Sequence, residues 1–340
     1  MIVWLVFLVV FLASWVLTRF LRRYALEKSL MDIPNERSSH SVPTPRGGGV
    51  AIVVAFLAVL PVLKLSGLIS LQLTIGLTGA GLLVAVLGFA DDHGHIAARW
   101  RLIGHFAAAA WALFWIDGLA PLELMDASID LGLVGTLLAS FYLVWMLNLY
   151  NFMDGIDGLA SAEAICACLG SCLVYGVTGH VDLIWVPLAL SAAVGGFLCW
   201  NVPPARIFMG DAGSGFLGLI LATISLHAAW VSADLLWCWI ILLGVFVVDA
   251  TWTLMRRLLN GEKVYEAHRS HAYQYATRRY GSHKLVLIAV IGINLFWLVP
   301  WAVAVGTGLV PGIVGAMLAY SPLALTAYVF RAGLRETGQC

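Results

Sequence analysis

Charge is what this chain has least of. Only 11% of its 340 residues are Asp, Glu, Lys or Arg, where a soluble domain carries about 25%. With 61% hydrophobic residues and a mean hydropathy of +0.92, the composition excludes a soluble globule and identifies an integral membrane protein. A formal net charge of zero excludes the broad basic field that nucleic-acid binding needs. The six cysteines (Cys166, Cys168, Cys172, Cys199, Cys238, Cys340) lie mostly inside apolar runs and form no CxxC pair, so a zinc or disulfide framework is not expected. No positive charge precedes the first apolar run, Met1 to Leu17, whereas Arg19, Arg22 and Arg23 follow it. A cleavable signal has the opposite order. Linkers, low-complexity tracts, inverted repeats and soluble inserts are also missing, which makes residues 1–340 one polytopic membrane domain.

A bilayer is crossed by about 20 apolar residues, and by that rule the chain reads as an all-α protein of about eleven transmembrane helices. They fall at 2–18, 49–64, 71–90, 102–117, 132–148, 159–178, 183–200, 213–231, 235–255, 284–305 and 309–330. With the N-terminus outside and the C-terminus in the cytoplasm, one face receives every one of the nineteen Lys and Arg residues except Lys64. That face is the cytoplasmic one. On the other side, the loop from Asp117 to Asp130 carries Glu123 and Asp126 and reads as a solvated loop with room for a short hairpin.

Five segments rich in Gly and ionisable side chains fall on the basic face. They are Pro43-Thr-Pro-Arg46-Gly-Gly-Gly49, Gly88-Phe-Ala-Asp91-Asp92-His93-Gly94, Asn148-Leu-Tyr-Asn151-Phe-Met-Asp154-Gly-Ile-Asp157-Gly158, Arg206-Ile-Phe-Met-Gly210-Asp211-Ala-Gly213-Ser214-Gly215, and Ala267-His268-Arg269-Ser270-His271-Ala-Tyr273-Gln274. In the third of these, four amide or carboxylate side chains recur at three-residue steps, each turning an ideal helix by about 300°. Such a spread is expected of a membrane helix that ends and unwinds, aiming its oxygens at one point. Asp91 and Asp92 point about 100° apart on a helix, so both meet one ligand only if the helix ends there.

Asn151, Asp154, Asp157 and Asp211 offer hard oxygen ligands, which suit magnesium (or manganese) better than zinc. The Gly-Asp-Ala-Gly-Ser-Gly run opens a helix whose free N–H groups favour an anion. His268, Arg269 and His271 offer donors for phosphate oxygens, and Arg46 beside its glycines is a second phosphate contact. Together these parts point to phosphoryl transfer from a soluble phosphate ester to a membrane acceptor.

In order and kind, Gly-Phe-Ala-Asp91-Asp92, Asn148-x-x-Asn151-x-x-Asp154-Gly-x-Asp157-Gly-Leu, Phe-Met-Gly-Asp211-x-Gly-Ser-Gly and His268-Arg-x-His271 resemble the polyprenyl-phosphate N-acetylhexosamine-1-phosphate transferases (glycosyltransferase family 4) over nearly the whole chain. The His-Arg-x-His form is closer to the O-antigen-initiating branch than to the peptidoglycan branch. The resemblance implies a bacterial inner-membrane enzyme with a cytoplasmic site. It would move an amino-sugar 1-phosphate from a UDP-N-acetylhexosamine to undecaprenyl phosphate, with Mg²⁺, releasing UMP. It further implies Asn151 and Asp211 as metal ligands, Asp91 and Asp92 at the acceptor phosphate, Asp154 and Asp157 on the nucleotide side, and His268, Arg269 and His271 at the diphosphate or sugar. The expected partners are therefore the nucleotide sugar, the polyprenyl phosphate and membrane lipid, without nucleic acid; a homo-oligomer is compatible with the sequence.

Two alternatives have distinguishable signatures. A polytopic transporter of a phosphorylated solute holds its charges near the bilayer midplane. Here only Glu163, read as a first-turn residue explained by the helix dipole, and Asp249, read as a buried partner for Arg256 or part of an acceptor groove, lie inside apolar runs. A CDP-alcohol phosphatidyltransferase would continue Asp-Gly with x-x-Ala-Arg, and Asp154-Gly-Ile-Asp157-Gly-Leu does not.

Overall fold

The computed structural model describes residues 2–34, 40, 42–94, 96–124, 127–262 and 268–334. Asp126, Lys263, Ala267, Arg335 and Cys340 lie outside the described residues. Of the described residues 76% are helical, as lipid demands of a spanning chain that must satisfy its own backbone. The first half contains α1 (Ile2–Glu27), α2 (Val50–Leu65), α3 (Leu71–His93), α4 (Ala98–Trp115) and α5 (Gly132–Met153). Then come α6 (Leu159–Thr178), α7 (Trp185–Asn201), α8 (Asp211–Ala229), α9 (Ala233–Leu242) and α10 (Gly244–Leu259). The last four are α11 (Ala272–Tyr280), α12 (His283–Ile293), α13 (Val299–Gly306) and α14 (Gly312–Val329). Two antiparallel ladders accompany them: Met31–Asp32 pairs with Thr44–Pro45, and Leu122–Leu124 pairs with Ala127–Ile129 in the hairpin expected of the acidic loop.

Each of the eleven apolar runs coincides with helix. By length and composition eight helices among the described residues suit a membrane crossing, or nine if α9 and α10 count as one. The two remaining runs are α2, with 16 residues, and α4, which opens with Arg99 and Arg101. The ninth run is not straight: α9 and α10 meet at Leu243–Gly244 with a bend of 71°. The tenth is interrupted by a π-helical turn at Asn294–Leu298.

The helix at the centre is α8, nearly all of it buried, with α3 and α5 packed along it. Small residues make that approach possible. A Cβ on Gly88 of α3 would collide with the main chain of Asp211 and Ala212, and one on Gly49 with the main chain of Gly213. The N-terminus of α8 is thereby pressed between the end of α3 and the start of α2.

Glu163 departs from expectation. It is the fifth residue of α6, fully buried, and its Oε2 accepts a hydrogen bond from Asn294 Nδ2 at 2.7 Å. An inter-helix partner therefore holds it, beyond anything the α6 dipole supplies.

Candidate active site

The segment 45–49 is stitched to 208–209 by main-chain bonds: Phe208 N–H donates to Pro45 O, Gly48 N–H to Phe208 O and Gly49 N–H to Met209 O, all at 2.8–2.9 Å. Gly47 takes φ +91°, which a glycine tolerates without strain, and the turn brings Arg46 over the end of α3. There Arg46 donates through Nη2 to the main-chain carbonyl of Asp92, and its buried Nε has no protein partner among the described residues.

Helix α3 does not end before its acids; it runs through His93, so Asp91 and Asp92 diverge. Asp91 turns toward α4, where its Oδ2 lies 2.6 Å from Arg101 Nη1 and its Oδ1 accepts from Ile96 N–H at 2.8 Å. Asp92 turns toward α8 and is buried, accepting from Asp211 N–H and Ala212 N–H at 3.3 and 3.4 Å. The anion on the N-terminus of α8 is thus the protein's own carboxylate. Asp91 meets the Asp211 side chain and Asp92 the Asp211 main chain, so the two acids reach that residue through different groups.

Helix α5 likewise continues past Asn148, whose Nδ2 donates to Val144 O, and stops only at Met153. Asn151, still helical, donates through Nδ2 to Asp211 Oδ1 at 3.0 Å. Unwinding begins at Asp154. Enclosure in the protein, together with the charges of Asp211, Asp92 and Asp157, pushes the Asp154 carboxyl well above the ordinary carboxylate range. Burial acts on Asp157 in the same direction but is outweighed. Its Oδ1 lies 3.3 Å from His283 Nδ1, its Oδ2 accepts from Ala205 N–H at 3.0 Å, and the carboxyl is held below 3.8.

Before α11, His268 and His271 stand with ring centroids 4.9 Å apart. His268 Nδ1 is 3.0 Å from Ser270 Oγ, and His271 is almost wholly buried. Arg269 is not among the described residues lining the cavities below; its carbonyl accepts from Arg278 Nη2 at 3.1 Å.

These groups border two adjoining cavities of about 460 and 430 Å³. The first, between α3, α4 and α5, has walls of Val84, Leu87, Leu102 and Leu147, with Asp91, Arg101, His105 and His271 among them. Arg46, Asp92, Asp154 and Asp157 border the second. Asn151, Asp211 and His268 border both. Among residues that the sequence marked only as loop charges, or not at all, Arg101 and His105 border the first cavity and His40 and His283 the second. Arg101 was visible only as a topogenic charge; its 3.8 Å approach to Asp211 depends on the α3–α4 turn.

Carboxylates outnumber cations around Asp211, which Asp91, Asp92 and Asp154 all approach electrostatically. Such a surplus of hard oxygen fits a divalent ion. Among the described residues no three His, Cys, Asp or Glu side chains already form a metal cage. An ion at Asp211 and Asn151 would complete its shell with water and substrate oxygens, the usual habit of magnesium.

Helices apolar enough to span a membrane, with acids, an amide and histidines around paired cavities, define a polytopic membrane protein with a polar cleft. The sequence comparisons narrow it. A profile of glycosyl transferase family 4 matches residues 74–229. The chain is 28% identical over 298 residues (86% of the chain, 82% of the relative) to a Bacillus subtilis (strain 168) protein named "Probable undecaprenyl-phosphate N-acetylglucosaminyl 1-phosphate transferase". It is 30% identical over 303 residues (77% and 73%) to the decaprenyl-phosphate N-acetylglucosaminephosphotransferase of Mycobacterium tuberculosis. Over 246 residues (65% and 71%) it is 30% identical to the phospho-N-acetylmuramoyl-pentapeptide-transferase of Streptococcus pneumoniae. The chain belongs to the polyprenyl-phosphate hexosamine-1-phosphate transferase family.

Proposed function

We propose that this protein transfers an N-acetylated amino-sugar 1-phosphate from a UDP-sugar to undecaprenyl phosphate, yielding the undecaprenyl-diphospho-sugar and UMP, and so initiates an O-antigen or similar cell-surface polysaccharide. The observation that carries the reading is the shared wall of Asn151, Asp211 and His268 between a part-apolar cavity and a polar one. A lipid phosphate and a nucleotide diphosphate must meet at one point, and two cavities joined at hard ligands supply it. The chain would cross the bacterial inner membrane eleven times, N-terminus outside, with this cleft on the cytoplasmic face.

In this reading the lipid phosphate enters the first cavity, where Arg101, already paired to Asp91, and His271 hold its oxygens. The nucleotide enters the second, with Arg46 on a phosphate and Asp154 and Asp157 bordering the nucleotide. Asn151 and Asp211 hold Mg²⁺, which, when bound, neutralises charge on the diphosphate. The second pKa of a phosphate monoester is about 6, so the acceptor is largely dianionic at neutral pH and needs little help from a base. An acceptor oxygen attacks the β-phosphorus directly; the new P–O bond forms as the bond to the UMP oxygen breaks. Asp91 positions the acceptor through Arg101 and forms no aspartyl-phosphate.

The test is UMP release by purified protein from a panel of UDP-amino sugars, with and without undecaprenyl phosphate and chelator. UMP that depends on acceptor and is abolished by chelator is expected, and its absence with every sugar overturns the assignment. Asp211→Asn is expected to lower kcat about 10²- to 10³-fold; full activity would remove the metal assignment.

A further inference from the structure

Asp249 lies inside an apolar run, and none of the proposed chemistry uses it. It is buried in α10, a turn and a half past the bend, and it does not pair with Arg256, which donates instead to Ala332 O. Its carboxylate is spent on the start of α11 and on Thr253 of its own helix. Oδ1 accepts from Ala272 N–H at 2.8 Å and from Thr253 Oγ1 at 3.1 Å, while Oδ2 accepts from Tyr273 N–H at 3.0 Å. These N–H groups belong to the first turn of α11 and have no intrahelical acceptor. His271, the residue before that helix, forms a capping box with Gln274, whose Oε1 accepts from His271 N–H at 3.2 Å. Asp249 of α10 adds a second cap, taking the Ala272 and Tyr273 N–H groups.

The same oxygen, Oδ1, stands 3.4 Å from Nδ1 of His271. That nitrogen is buried, with no hydrogen-bond partner among the described residues. The ring lies between His268 at 4.9 Å and Tyr273, nearly parallel at 5.7 Å, and it borders the first cavity. Two consequences follow from one carboxylate. A proton on Nδ1 is favoured, because that nitrogen faces an anion; this leaves Nε2, on the other side of the ring, for whatever occupies the cavity. Fixing Tyr273 N–H also seats Tyr273, whose hydroxyl donates to Phe152 O at 3.1 Å and packs on Gly155, where no side chain would fit. One bond network thus joins α10, the His268–His271 segment and the end of α5, which carries Asn151 and is followed by Asp154.

From this geometry we infer that Asp249 is the positioning residue of the site, setting the tautomer and orientation of His271 and clamping α11 onto the Asn151–Asp154 stretch. The inference rests on the transfer reading, in which His271 meets substrate phosphate.

The test combines kinetics with nitrogen spectroscopy. Asp249→Asn keeps an acceptor for the cap but loses the anion beside Nδ1. It is expected to lower kcat about 10- to 100-fold, with KM for the UDP-sugar changed less than about threefold, while Asp249→Glu recovers part of the loss. Added to His271→Ala, Asp249→Asn is expected to cost less than about threefold more, because both act through one group. In ¹⁵N-histidine-labelled unsubstituted protein, the His271 signal, identified by its loss in His271→Ala, is expected to report a proton on Nδ1. If His271→Ala keeps full activity, the transfer role of His271 falls, and this inference with it. If His271→Ala is impaired but Asp249→Asn is not, or if the two losses multiply, the positioning role alone is overturned. A neutral His271 carrying its proton on Nε2 overturns it as well, without recourse to any Asp249 variant.

Discussion

At the scale of single residues the site crowds its carboxylates, and each meets its surroundings on different terms. Asp91 has Arg101, Asp92 has the α8 N-terminus, and Asp157 has His283 and the Ala205 N–H. Asp154 has three acids for neighbours and a carboxyl raised far above 3.8. A raised acid contributes stability below its unfolded value and forfeits it as pH climbs through the folded value. At pH 7 with chelator, Asp154→Asn is therefore expected to melt at a higher temperature than the unsubstituted protein, and to release little or no UMP once Mg²⁺ is restored. Adding Mg²⁺ is expected to raise the melting temperature of the unsubstituted protein more than that of the variant. A lower melting temperature for the variant in chelator would contradict the electrostatic account. For Asp157 the sign reverses: its depressed carboxyl stabilises above about 3.8 and ceases to do so as pH falls through the folded value. The acid limb of a melting-temperature profile should accordingly flatten in Asp157→Asn.

At the scale of elements, what hydropathy could reveal was the helices, since a run of apolar residues needs no partner to be recognised. Asp91-Asp92 and Asn151 were also legible as site candidates, being polar where the surrounding chain is not. Their partners were not legible. Asp92 and Asp211 are 119 positions apart, and nothing local to Asp92 shows that its carboxylate caps α8. The bend at Leu243–Gly244 and the role of Asp249 escaped for the same reason: both depend on packing between distant segments. So did the end of α5, since three-residue spacing suggested unwinding at Asn148 and the helix holds five residues longer. The π turn after α12 is another such case. Asn294 donates both to Glu163 and to Val290 O, at 2.7 and 3.1 Å, so the irregular turn brings an amide to a buried acid. Asn294→Leu is expected to destabilise by about 2–3 kcal/mol, because Glu163 is left buried without its donor. The double variant Glu163→Leu/Asn294→Leu should recover much of that loss in thermal unfolding. No recovery would mean that the pair matters only as packing.

At the scale of the whole molecule, charge distribution makes an orientation testable. Lys64, at the end of α2, is the one basic residue on the proposed outer face. In a cysteine-free background, a cysteine at Ser66 is expected to react with an impermeant thiol reagent added to intact spheroplasts, and one at Ser282 only after lysis. The reverse pattern would invert the topology and place the cleft outside.

The wall common to both cavities also bears on inhibition. A molecule that spans them, with an apolar arm in one and a nucleoside-like arm in the other, gains from high effective concentration once either arm has bound. Its linker would rest on Asn151, Asp211 and His268. Any substitution there that repels the inhibitor also strips the enzyme of groups assigned to its own reaction. Escape variants should consequently arise at the outlying walls, among residues such as Leu87, Leu102 or Phe208, each of which touches only one arm.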